Sequence, residues 1–133
     1  MISAPALGHR WWAARGEGAF RDGQRIHVSA ISRLADASVS STYGRNLVAV
    51  ERAVWHARSL GDFWQHALVA EGSVDAAVDA KLAIWDYAAL VPIVEDAGGR
   101  VSTLDGGPPR PGEQVVSSNG PAHNELLSLL RGP

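Results

Sequence analysis

The sequence predicts a layered α/β sandwich, a mixed sheet flanked by helices. Two observations carry that prediction. Strand-like and helix-like stretches alternate after residue 38, and the stretches of helical period are apolar along one face. At 133 residues the chain is one ordinary domain, long enough to bury a core.

The elements follow in order. The opening MISAPAL reads as a strand almost from its first residue, ended by Pro5, with no polar lead-in. Asp22-Gly23 is a strong hairpin signal, because a type I′ turn needs positive φ at both central residues. It joins strands expected over 10–20 and 24–29. Residues 38–43 suggest another short strand. Residues 46–57 place Leu47, Val50, Val54 and Ala57 on one helical face, with Gly44 or Asn46 near the start. A connector or short strand covers 58–61. A helix over 62–71 is N-capped by Asp62 and ended by Gly72.

Residues 74–80 alternate as a half-buried strand would, with Val74, Ala76 and Val78 on one side. The helix expected over 86–97 contains Pro92, which removes a backbone donor and predicts a kink. It stops at Gly98-Gly99. Strands over 101–104 and 114–117 are joined by the Gly/Pro-rich loop 105–112, and a last helix covers 121–131. No repeat, low-complexity tract or internal linker divides the chain.

Composition excludes several classes of function. A formal net charge of -2 gives no general electrostatic reason to bind nucleic acid or anionic membrane. No apolar run approaches the roughly 20 residues that span a bilayer. The N-terminus lacks the regions of a signal peptide, so a cytoplasmic location is expected. The absence of cysteine rules out disulfides and thiolate metal sites, and it suits a reducing compartment.

Most chemistry-bearing residues have plain structural readings. Gly16-Glu17-Gly18 lacks the third glycine of a dinucleotide fingerprint, since Arg21 stands there, and it reads as a bend between strands. The five histidines show no zinc spacing; His56 and His66 read as partly buried surface. Trp11 and Trp12 point to opposite faces of a strand, one packed and one partly exposed.

Asp86 behind Trp85 differs. Alone, an Asp in a first helical turn is a cap or dipole partner. Two further features favour chemistry. Gly61-Asp62 opens a helix whose free N–H groups could receive an anion such as phosphate. Asp79 ends the strand leading into the Asp86 turn. A carboxylate for a hard cation, a helix N-terminus for phosphate and further acids for the rest of a substrate suggest metal-assisted phosphate chemistry.

Trp85-Asp86 with Ala88-Ala89, then Glu95 and Ala97-Gly98-Gly99, resembles the second signature of the inositol-monophosphatase-like family. RWWAARGEGAF, DGQRIHVS and LGDFWQHALVAEGSVDAAVD also fall where that family has similar segments, so the resemblance covers essentially the whole chain. Gly61-Asp62-Phe63 and Ala89-Leu90 are most similar to histidinol-phosphate phosphatases. The resemblance implies a Mg²⁺-dependent phosphomonoesterase acting on histidinol phosphate or an inositol phosphate-like ester. It implies Asp86 as a metal ligand and Asp79 as a contact to substrate polar groups. Gly61 and Asp62 would touch the substrate's organic part, Asp62 pairing with an amino group. Glu95 and Asp96 would be the solvated end of a helix.

The chain also departs from the family. Family enzymes are about twice as long, and their first half carries a glutamate ligand and a D-P-I/L-D-G-T-like segment. Neither is present in these 133 residues, so the chain resembles a C-terminal half whose first strand the complete protein would share with preceding residues. One carboxylate cannot organise two or three Mg²⁺ ions. Three readings follow. The chain is a phosphomonoesterase domain active only with an N-terminal half, or a noncatalytic binding or interaction module of that origin. The third is a generic α/β domain with an accidental motif, which the length of the match disfavours. Either of the first two predicts an apolar surface that self-associates or captures an N-terminal half.

Overall fold

The computed structural model describes residues 1–44 and 46–133. It contains two sheets. The first is antiparallel, in the order β1 (Ile2–Ala4), β2 (His9–Ala14), β3 (Gly18–Arg21), β4 (Gln24–Ile26). The Asp22-Gly23 turn forms as expected, with φ of 50° and 83° at its two residues and Arg21 paired to Gln24. Arg10 N–H and His9 Nδ1 bond the Asp22 carboxylate, and the Arg10 bond leads in holding it below the usual carboxylate range. The strand expected over 10–20 is two strands, because the bend at 15–17 turns the chain back on itself.

The second sheet is mixed. Its members are β5 (Ser38–Ser41), β6 (His56–Arg58), β7 (Ala76–Asp79), β8 (Arg100–Thr103) and β9 (Val115–Ser118), in the order β6-β5-β7-β9-β8. β5 runs parallel to β6 and β7, whereas β9 runs antiparallel to β7 and β8. The helices are α1 (Leu47–Ala53), α2 (Asp62–Ala70), α3 (Ile84–Tyr87), α4 (Leu90–Asp96) and α5 (His123–Arg131). α2 and α4 pack between the two sheets, while α1 and α5 cover the far face of the mixed sheet. The order of layers is sheet, helices, sheet, helices.

Each interlayer space is filled by one apolar cluster. Trp11 and Ala19 of the antiparallel sheet meet Ala67 and Ala70 of α2, Ile93 and Val94 of α4, and Ala77 and Val115 of the mixed sheet. On the other side Val39, Ala76, Val78 and Val116 meet Val50 of α1 and Leu126, Leu127 and Leu130 of α5. The period of two along a strand decides which cluster a residue joins: Ala77 faces α2, while Ala76 and Val78 face α5. β7 is therefore buried on both faces, which corrects the half-buried reading of 74–80.

Trp11 is fully buried, and its Nε1–H donates to Glu71 Oε1 at 2.5 Å. Arg21 holds the other oxygen of Glu71 at 2.7 Å, so an ion pair joins the antiparallel sheet to the end of α2. Trp12, half-buried on the opposite face, stacks on Phe20 with ring centroids 4.2 Å apart.

Two helices differ from expectation. The helix expected over 46–57 ends at Ala53, since Val54 is extended (φ −104°, ψ 158°) and His56–Arg58 pairs with β5 as an edge strand. The helix expected over 86–97 begins earlier, at Ile84, and breaks at 88–89. Pro92 has no N–H to donate to the Ala88 carbonyl, and its ring crowds that carbonyl, so the break falls one turn before the proline. Asp96 is not merely solvated: its Oδ1 accepts the Gly16 N–H at 3.1 Å, tying α4 to the β2–β3 bend.

Candidate active-site cleft

The carboxyl ends of the parallel strands β5 and β7 open onto a cleft, the usual place for a ligand in such sheets. Its volume is about 350 Å³. Asp62 at the start of α2, Asp79 at the end of β7 and Asp86 in α3 all line it. Thr42 and Tyr43 follow β5 on its rim, and Phe63, Leu82 and Leu90 form apolar wall. Three carboxylates separated by up to 24 positions in sequence thus meet at one opening.

Each is placed by local structure. Gly61 precedes α2 with φ 73° and ψ 170°, a region essentially reserved for glycine. Asp62 follows with φ 56°, the left-handed conformation that Asp tolerates better than most residues. Gly61, rather than Asp62, occupies the capping position, one residue earlier than expected. Asp62 Oδ1 accepts the Phe63 N–H at 2.6 Å, so a carboxylate already occupies part of the helix N-terminus expected to receive an anion.

Asp79 faces α2 because it shares the strand face of Ala77. It is buried, and its oxygens accept the Ala80 N–H at 2.9 Å and Gln65 Nε2–H at 3.1 Å. Burial is the chief cause that pushes its carboxyl above the usual range; Asp62 and Asp86 push the same way, against the two hydrogen bonds. Gln65 is itself fully buried, accepting from Ser40 Oγ at 2.8 Å, and so anchors Asp79 to β5.

Asp86 is exposed. Its Oδ2 accepts the Ala83 N–H at 2.8 Å, so the residue does cap its helix. Capping and ligation are compatible, since a carboxylate offers about four lone-pair sites. Oxygen donors without thiolates suit a hard cation in kind. They do not suffice in number: among the described residues no group of three or more His, Asp or Glu is placed to hold a metal ion.

His66 was expected at the surface and is instead 1% exposed, on the wall of this cleft. The sandwiching of α2 between two sheets buries it. Its Nδ1 lies 2.7 Å from Ser117 Oγ on β9, while its Nε2 is buried with no hydrogen-bond partner. Burial lowers its pKa to about 4, opposed by the nearby Asp62. A signal for it existed in the sequence. His66 is four residues after Asp62 in a helix whose bounds were legible, hence on the same face. His56, by contrast, sits on the edge strand against Trp55.

A four-layered sandwich with an acidic cleft at the carboxyl ends of its parallel strands is an architecture suited to a hard cation and a polar substrate. A model of the inositol monophosphatase family matches residues 1–131, and the chain belongs to that family. The family is generally metal-dependent. The chain is 42% identical over 144 aligned positions to the histidinol-phosphatase of Streptomyces coelicolor, covering 98% of this chain and 54% of that protein. It is 43% identical to the histidinol-phosphatase of Mycobacterium tuberculosis, covering 98% and 55%. Among solved structures, a Thermotoga maritima IMPase superposes with a TM-score of 0.88 at 31% identity, over 96% of this chain and 53% of that one. The chain thus spans about half the length of the curated relatives it matches. No helix among the described residues is long and apolar enough to cross a membrane.

Proposed function

We propose that residues 1–133 supply the C-terminal half of a Mg²⁺-dependent phosphomonoesterase. Its substrate would be histidinol phosphate, or an inositol phosphate-like ester, and histidinol phosphate would place the reaction in histidine biosynthesis. The observation that carries this reading is the convergence of Asp62, Asp79 and Asp86 on one cleft. Asp86 would give the metal one carboxylate oxygen, and the other ligands would come from an N-terminal half. Bound there, Mg²⁺ supplies charge neutralisation for the phosphate oxygens. Asp79, held by Gln65 and Ala80, accepts hydrogen bonds from polar groups of the substrate. Asp62, beside the glycine that lets α2 begin so abruptly, pairs with an amine.

A second reading is a noncatalytic binding or interaction module, favoured by the absence of a three-ligand group among the described residues. The two readings separate in one experiment. Phosphate release from histidinol phosphate is measured with Mg²⁺ for the chain alone and with an added first half of the Streptomyces coelicolor relative, while light scattering follows association. The expected result is little release by the chain alone, association with the added half, and turnover in the mixture. Asp86→Asn preserves shape and removes charge, so it should cut that turnover by about 100-fold or more, because electrostatic positioning supplies most of phosphoryl-transfer catalysis. No turnover in either form, or full turnover by Asp86→Asn, rejects the phosphatase reading.

A further inference from the structure

One residue of the cleft wall, His66, carries a buried polar atom to which the proposed reaction gives no task. His66 is 1% exposed, its Nδ1 is fixed by Ser117, and its Nε2 has no hydrogen-bond partner. A buried polar atom without a partner is costly and rare in folded proteins. The cost is lifted if a ligand entering the cleft brings the missing partner.

The surroundings select the chemistry of that partner. Asp62, Asp79 and Asp86 line the same cleft as His66, and no Lys or Arg lines it among the described residues. Ionised carboxylates only accept hydrogen bonds. A neutral imidazole whose Nδ1–H donates to Ser117 Oγ also presents an acceptor at Nε2. The hydroxyl of Ser117 has the lone pairs to take that proton. The organic end of the cleft is then a set of acceptors under negative potential, complementary to a cationic donor rather than to a neutral polyol alone.

We infer that His66 is a specificity-determining residue, its Nε2 accepting an N–H of a cationic amine on the organic part of the phosphate ester while Asp62 supplies the opposing charge. The inference rests on the phosphatase reading of this cleft. The ring stays neutral beside Asp62 because α2 is enclosed between the two sheets, so the lone pair remains available.

The test uses whichever form of the protein releases phosphate in the assay above, with L-histidinol phosphate and myo-inositol 1-phosphate as probes. His66→Phe keeps the ring volume and removes both nitrogens. His66→Gln restores one polar end. His66→Phe combined with Ser117→Ala removes the hydroxyl that the first change strands, guarding against a fold defect. Expected is a rise in KM for histidinol phosphate of about 10-fold or more in both phenylalanine variants, the scale of one lost charge-assisted hydrogen bond. KM for the inositol ester and kcat for both esters should stay within about 3-fold, and His66→Gln should recover much of the loss. Unchanged KM for histidinol phosphate, or equal loss for both esters, overturns the role of His66 and leaves the phosphatase reading intact. No phosphate release by the wild-type protein in any form rejects that reading, and the role of His66 with it.

Discussion

Two neighbouring serines on β9 each hold a buried histidine, and they do so on opposite faces of the mixed sheet. Ser117 faces α2 and lies 2.7 Å from His66 Nδ1; Ser118 faces α5 and lies 2.7 Å from His123 Nδ1. Both rings are almost wholly enclosed, and burial lowers both pKa values to about 4. They differ at the other nitrogen. His123 Nε2 lies 2.8 Å from Ser102 Oγ, completing a closed Ser-His-Ser chain between β8, β9 and α5. His66 Nε2 has no hydrogen-bond partner, and the residue lines a cleft. The same residue type, in the same protonation state, thus serves two purposes. One satisfies a core; the other leaves bonding capacity at a site.

Unfolding measurements at neutral pH test that contrast most strongly. His123→Leu removes two buried hydrogen bonds while Ser102 keeps the Thr103 carbonyl and Ser118 keeps the Gly120 N–H. The expected loss is about 3 kcal/mol, or ~10 °C in Tm for a domain of this size. His66→Phe combined with Ser117→Ala removes one such bond, one unsatisfied nitrogen and the hydroxyl that would otherwise be stranded, so it should stay within about 1 kcal/mol of wild type. Equal losses would erase the distinction between the two rings.

Acid titration sharpens it. Each histidine has a folded pKa near 4 against an ordinary value of 6.5, so between those values the unfolded chain binds more protons than the folded one. Stability contributed by the neutral rings is complete above pH 6.5 and is lost as pH falls toward 4. A shift of that size corresponds to roughly 3 kcal/mol, and relaxation of the surroundings should bring it nearer 2 per ring. Tm followed from pH 7 to 4 should fall less steeply in either histidine variant than in wild type. A slope that neither substitution changes would assign the acid sensitivity to other groups.

His66 also marks the boundary of what the amino-acid sequence discloses. The Asp22-Gly23 turn, the glycine-terminated α2 and the Trp85-Asp86 signature were legible because each depends on residues adjacent in the chain. The layer order was not. Whether β7 is half-buried or enclosed depends on α1 and α5 covering its far face, and periodicity within 74–80 does not contain that information. His56–Arg58 was hidden for a similar reason: an edge strand defined by pairing to β5 overrode a helical period that Ala57 happened to continue. For His66, helical spacing placed it beside Asp62, but only the second sheet determines that this side of α2 is interior.

The smallest of these effects concerns Asp79, the carboxylate that shares the cleft with His66. Burial, with Asp62 and Asp86 adding to it, raises the Asp79 pKa in the folded state above the ordinary carboxylate value of 3.8. The folded state then binds more protons than the unfolded state just above that value, so stability falls as pH rises through the folded pKa. Above its folded pKa the ionised Asp79 therefore carries a cost, despite its bonds from Gln65 and Ala80. Asp79→Asn keeps an acceptor for one of those donors and removes the charge. It should raise Tm at pH 7, with the advantage shrinking as pH falls and the wild-type carboxyl becomes protonated. The same substitution should weaken the substrate contact proposed for this residue, since stability gained at a site is commonly function lost. A lower Tm at neutral pH would show that the two hydrogen bonds outweigh burial, and that the cleft is no more strained than the closed Ser-His-Ser core it is compared with.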